Sequence, residues 1–235
     1  MGALLEFERL SRRQLGGDDG YDKWQSLLGA LLYDSGLFLD VVDFQLHRMD
    51  DDISEAVEDA KRLERILAEG GSAWAVVGRD GAYCLERRVP EEVAVAANRA
   101  MSPEDNASKH LRIAWGKVYG RNADPSGAYR EAVKAVEAAA KPVVLPADRL
   151  ATLGKMIARI EQSPDGFAMS LGPHGFNAID GLVAMMRLLW RAQQDRHGTD
   201  DPDATTQVGS DEAEAALYVA VTLVQWFRSG AVAAQ

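Results

Sequence analysis

The chain has 235 residues, 47% hydrophobic and 26% charged, with 21 glycines and 8 prolines, a composition that excludes collagen, low complexity and wholesale disorder. Its 26 Lys and Arg against 36 Asp and Glu give a net charge of -10, so the surface repels a phosphate backbone and argues against a static, non-specific DNA binder. The length allows one large domain or a small domain joined to a medium one.

The opening MGALLEFERLSRR has acids before its first arginine and no long apolar core, and reads as neither a signal peptide nor a myristoylation sequence. From Tyr21 to His47, Trp24, Leu27, Leu28, Leu31 and Leu32, then Leu37, Leu39, Val42 and Leu46, recur at helical spacing around a Ser35-Gly36 break, which predicts two packed helices. Ile53 to Glu69 carries a third apolar stripe, with Ser54 as a cap and Gly70-Gly71 as the stop.

The next segment changes period. Trp74, Val76, Val77, Tyr83, Cys84, Leu85 and Val89 flank Gly78-Arg79-Asp80-Gly81, and the Asp-Gly pair predicts an antiparallel hairpin over 73–89, with Trp74 packed on helices. Helical pattern resumes over 90–100 and 103–119, where Leu111, Trp115 and Val118 share a face. The turn Gly120 to Pro125 is the expected boundary between a helical region with one hairpin, 1–120, and a second part, 121–235.

In the second part, Ser126 is expected to cap a helix carrying Tyr129, Val133, Val136 and Ala140 on one stripe and Ala128, Ala132, Ala135 and Ala139 for close approach, ended by Pro142. A helix over 148–162 follows, then a Gly/Pro-rich excursion over 163–175. The next helix, 179–195, has Ile179, Leu182, Val183, Met186, Leu189 and Trp190 facing the core, and Asp180, Ala184, Arg187 and Arg191 opposite. After an acidic linker, 198–209, a last helix runs over 210–229. Four helices in this part predict a bundle, and the fold class is mainly α.

The longest strongly apolar run, Ala215 to Phe227, contains Thr222 and Gln225 and is short of the roughly 20 residues a bilayer demands, so no membrane span is expected. One cysteine, Cys84, suits a reducing cytoplasm and supplies no multi-thiolate metal site. No GxGxxG, Walker loop, HExxH or GxSxG occurs, so no nucleotide cofactor or zinc is expected and the cofactor assignment is none. The run Asp200-Asp201-Pro202-Asp203 lacks the alternation of a calcium loop. His47 at a helix end, His110 on a helix face and His174 in a loop read as structural or solvent-facing.

His197 differs, because it closes Arg191-Ala192-Gln193-Gln194-Asp195-Arg196-His197-Gly198 at a helix end. This stretch resembles the signature of HEPN-superfamily nucleases, an arginine followed after four to six residues by a histidine near the end of a bundle helix. The C-terminal part, about 120–235, resembles the HEPN-like domain of bacterial abortive-infection proteins. There, a helix patterned Ala-x-x-Glu-x-x-x-Ala-x-Glu precedes an Arg-Asn-x-x-x-x-His-Gly motif and a final amphipathic helix. In this chain Ala128, Glu131, Lys134 and Glu137 stand in that style, and Ala192 stands where the motif has a polar residue.

The resemblance implies a metal-independent RNA endonuclease in antiphage, abortive-infection or toxin-like defence, cytoplasmic and homodimeric through the C-terminal bundle, answering a phage-derived trigger or protein partner. Arg191 and His197 would be catalytic, with Arg187, Arg196, Lys134 and Glu137 as substrate-binding or supporting groups. Two other readings stand beside it: a catalytically silent HEPN-like dimerisation or partner-binding module, and a phage structural protein. On plain helix chemistry, Arg191–Asp195 is an i,i+4 pair, Lys134–Glu137 an i,i+3 pair, and His197 a polar residue at a helix C-terminus.

Overall fold

The computed structural model describes residues 2–49, 54–79, 81–171, 178–194 and 208–235, with 191–194 as backbone only. The described residues are mainly helical, as the periodicities predict, and fall into two compact units, 1–88 with 119–122, and 89–118 with 123–235. The turn at 120 thus lies in a short segment that belongs with the first unit.

The first unit begins with a helix that sequence reading leaves unassigned, α1 (Gly2–Ser11), followed by α2 (Gly20–Leu31), α3 (Ser35–Leu46) and α4 (Ser54–Glu69). Arg12, at φ 57, breaks the chain out of α1. Carboxylates start the next two helices: Asp19 accepts from the amides of Tyr21 and Asp22, and Asp34 from Leu37, satisfying amides that no helical carbonyl can reach. Phe7, Leu15, Leu27, Leu37 and Phe44 close the core of α1–α3, with the Phe7 and Phe44 rings edge to face at 5.5 Å.

The expected hairpin is present as β1 (Trp74–Arg79) and β2 (Ala82–Arg87), antiparallel in the register Trp74↔Arg87 to Arg79↔Ala82. Gly81 turns it at φ 83, a conformation that costs glycine little; Asp80 lies outside the described residues. β1 packs on α4 and β2 on α3. Trp74 is half-buried, and the Arg121 guanidinium sits 4.6 Å from its ring centre.

The second unit holds α5 (Glu91–Met101), α6 (Asn106–Tyr119), α7 (Pro125–Val144), α8 (Leu153–Gln162), α9 (Ala178–Gln194) and α10 (Ser210–Arg228). Helices α7 to α10 pack on one another, which is the expected four-helix association. The α7 residues Ala128, Ala132, Ala135 and Val136 are fully buried, as are Leu217, Ala220, Leu223 and Val224 of α10, so small side chains let these two helices approach closely.

Three helix ends differ from expectation. Asp124, not Ser126, caps α7, accepting from Gly127 with Pro125 preset at the first turn. Pro142 does not end α7, which runs to Val144; near a C-terminus a proline forfeits only one late hydrogen bond. Helix α8 starts at Leu153, not 148, because Thr152 caps it and Asp148 to Ala151 form a turn. A second small sheet was not anticipated: β3 (Phe167–Met169) pairs antiparallel with β4 (Val232–Ala234), with Val232 fully buried.

Candidate functional site

Within α9 the apolar stripe is buried as its period requires, at Ile179, Leu182, Val183, Met186 and Leu189. The opposite stripe, Asp180, Ala184 and Arg187, faces α8 across a groove of about 310 Å³ that Ile160, Glu161 and Pro164 complete. Arg187 does not stand free in it, since its guanidinium pairs with Glu161 of α8. Arg191 is helical and lies in the last turn of α9, where the four-residue step from Arg187 keeps it on the same stripe.

Tyr129 of α7 donates to the carbonyls of Leu189 at 2.9 Å and Leu188 at 3.3 Å, so the start of α7 is tied to the final turns of α9. The side chain of Arg191, the residues His174, Asp195, Arg196 and His197, and the acidic run 200–203 lie outside the described residues.

Lys134 and Glu137 do not pair with each other. Lys134 bonds back to Glu131 at 2.8 Å, while Glu137 accepts the amide of Leu153 at 2.7 Å and so helps start α8. The second oxygen of Glu131 meets Nδ1 of His110 on α6 at 2.6 Å. Burial works against the charge on Glu131, but the bonds from Lys134 and His110 prevail and hold its carboxyl below the usual range. The result is a His110–Glu131–Lys134 cluster joining α6 to α7, and it gives His110 an orienting carboxylate that sequence reading did not foresee.

In the first unit a cavity of about 130 Å³ is lined by Leu10, Ser11, Asp40, Asp43, Phe44, His47 and Asn122. Its polar groups are largely engaged. Asp40 is held by Arg13 at 2.6 Å and Arg121 at 2.5 Å, and His47 donates from Nδ1 to the Asp43 carbonyl at 2.8 Å. Burial pushes the Asp43 carboxyl up, against the opposing pull of the Leu85 amide.

Burial, with Glu86 and Asp43 adding, pushes the Cys84 thiol up to about 12, which disfavours the thiolate at neutral pH. Among the described residues, no group of three or more His, Cys, Asp or Glu is placed to hold a metal ion, and no helix is long and apolar enough to cross a membrane. No protein-family model, curated protein or solved structure matches the chain.

Proposed function

We propose that the chain is a metal-independent RNA endonuclease of the HEPN type, cytoplasmic and acting in antiphage defence, with Arg191 as phosphate clamp and His197 as acid/base. The observation that carries this reading is the position of Arg191, in the last turn of α9, on the stripe that Arg187 extends along the α8–α9 groove. The sequence then supplies a histidine six residues on, at His197. The bundle of α7 to α10, with α7 tied to α9 through Tyr129, packs against that end of α9.

The chemistry follows from the two side chains. A ribose 2′-hydroxyl attacks the adjacent phosphorus, its proton passes to a base, the bond to the 5′ oxygen breaks, and that oxygen takes up a proton. Histidine titrates where both transfers are feasible at neutral pH, and a fixed guanidinium offsets the charge that builds on the phosphorane. Homodimerisation would present two Arg/His pairs to one RNA and concentrate positive charge in an acidic protein.

A second reading, a catalytically silent module that dimerises or binds a partner, draws support from a separate observation. Arg187, Lys134 and Glu137 are each engaged by Glu161, Glu131 and the Leu153 amide, which are structural duties. The two readings part on one assay. With labelled single-stranded RNA in EDTA, the nuclease reading expects fragments ending in 2′,3′-cyclic phosphate and no cut at a 2′-deoxy position. Cleavage that EDTA abolishes, or that ignores the 2′-deoxy substitution, contradicts it.

A further inference from the structure

Helix α2 buries one face on the core of the first unit through Leu27 and leaves another bare. Tyr21 is 70% exposed, Trp24 47%, Leu28 41%, Leu32 78% and the adjoining Tyr33 90%. Leu32, the C-cap residue, keeps helical dihedrals. At about 100° per residue, Tyr21, Trp24, Leu28 and Leu32 therefore fall within an arc of about 80°. Tyr33 points about 100° away from Leu32, and the four stripe residues expose on the order of 450 Å² of largely apolar surface, within the range a typical monomer leaves in one patch.

We infer that this stripe is a self-association surface, on which α2 packs antiparallel against α2 of a second copy of the chain. The area is compatible with it, because two such stripes face to face would bury on the order of 900 Å², close to the roughly 1,000 Å² that a specific interface should clear. The spacing favours it, because Tyr21, Trp24 and Leu28 repeat in the three-four rhythm of a helix-packing seam.

Charge selects the occupant. The only cation on α2, Lys23, is bound to Glu8 at 2.8 Å, while Asp18, Asp19 and Asp22 crowd its N-terminal end. A nucleic acid or an anionic lipid surface would meet carboxylates there and no basic face. An identical uncharged stripe fits without any charge complement.

Charge also sets the orientation. Parallel pairing would bring those aspartates of both copies together, whereas antiparallel pairing separates them by about 18 Å, the length of a 12-residue helix. This inference does not depend on the nuclease reading.

The test uses the full chain in sedimentation velocity over a concentration series, in a Cys84→Ser background. Its mass should rise towards twice 25.6 kDa and rise further with added NaCl, since the net charge of -10 opposes pairing. Leu28→Glu should hold the chain at monomer mass with unchanged helical circular dichroism.

Gln25→Cys, beside the stripe, should be joined into a covalent dimer by a short bismaleimide far more than Lys61→Cys on α4, and Leu28→Glu should cancel that difference. The crosslinking pair decides the matter if Leu28→Glu proves unfolded. A wild type that stays monomeric overturns the inference, as does a dimer that survives in folded Leu28→Glu, which would belong to another face. Equal crosslinking at 25 and 61 overturns it too, and so does a dimer that weakens with salt.

Discussion

The Asp43 carboxylate of α3 accepts the backbone amide of Leu85 in β2 at 2.7 Å. Across the ladder, Val76 pairs with Leu85 and sends its own amide outward to Glu64 of α4 at 2.7 Å. Each outer edge of the hairpin is thus held by one helix carboxylate, and this explains how two strands, marginal alone, stay ordered.

Asp43→Ala should destabilise the fold by about 1–3 kcal/mol, because it leaves a buried amide without an acceptor. Asp43→Asn keeps an acceptor and should cost less. Burial raises the folded-state value of Asp43, so the wild type loses stability as pH rises from the ordinary carboxyl value through the raised one. Asparagine does not titrate, and urea denaturation should show the balance shifting towards Asp43→Asn over that window. A constant difference between the two across it would contradict the assignment.

Glu131 has the opposite sign. Its folded-state value is lowered by Lys134 and His110 in spite of burial, so its stabilisation is present above the unfolded value and lost as pH falls through the folded one. Glu131→Gln should be less stable than wild type by roughly 1–2 kcal/mol near neutrality, and the gap should close in acid. Thermal melts across the acid range check it.

Two glycines separate packing from propensity. A Cβ at Gly154 would meet Cζ2 of Trp190 at 2.6 Å, whereas one at Gly181 meets nothing within 4 Å. Gly154→Ala should therefore cost about 1–3 kcal/mol by forcing α8 and α9 apart, while Gly181→Ala should add roughly 0.5–1 kcal/mol through helix propensity. Equal melting temperatures for the two variants would contradict this account of the α8–α9 contact.

Local signals account for what was legible in the sequence. The hairpin follows from Asp80-Gly81 between β-rich runs, and the helices of the bundle from their 3.6-residue stripes. Pairings set by tertiary contact were not legible. Lys134 has a carboxylate three residues away on either side, and only the capping duty of Glu137 at Leu153 decides for Glu131. His110 and Glu131 are 21 residues apart on different helices, so no spacing rule joins them. Strands β3 and β4 have three residues each and lie far apart in the chain, too short to show a period. Of the candidate site, the sequence marks Arg187 and Arg191 on one stripe but carries no sign that Glu161 occupies Arg187.

The most direct measurement is the cleavage rate of labelled single-stranded RNA by Arg191→Ala and His197→Ala, read beside the melting temperature of each. Each variant should lose at least about 100-fold in rate, the low end of what a positioned acid/base supplies, with circular dichroism and melting temperature nearly those of the wild type. Unchanged cleavage in both variants would contradict the assignment, and so would a loss of activity accompanied by a collapse in stability, which would make the pair structural.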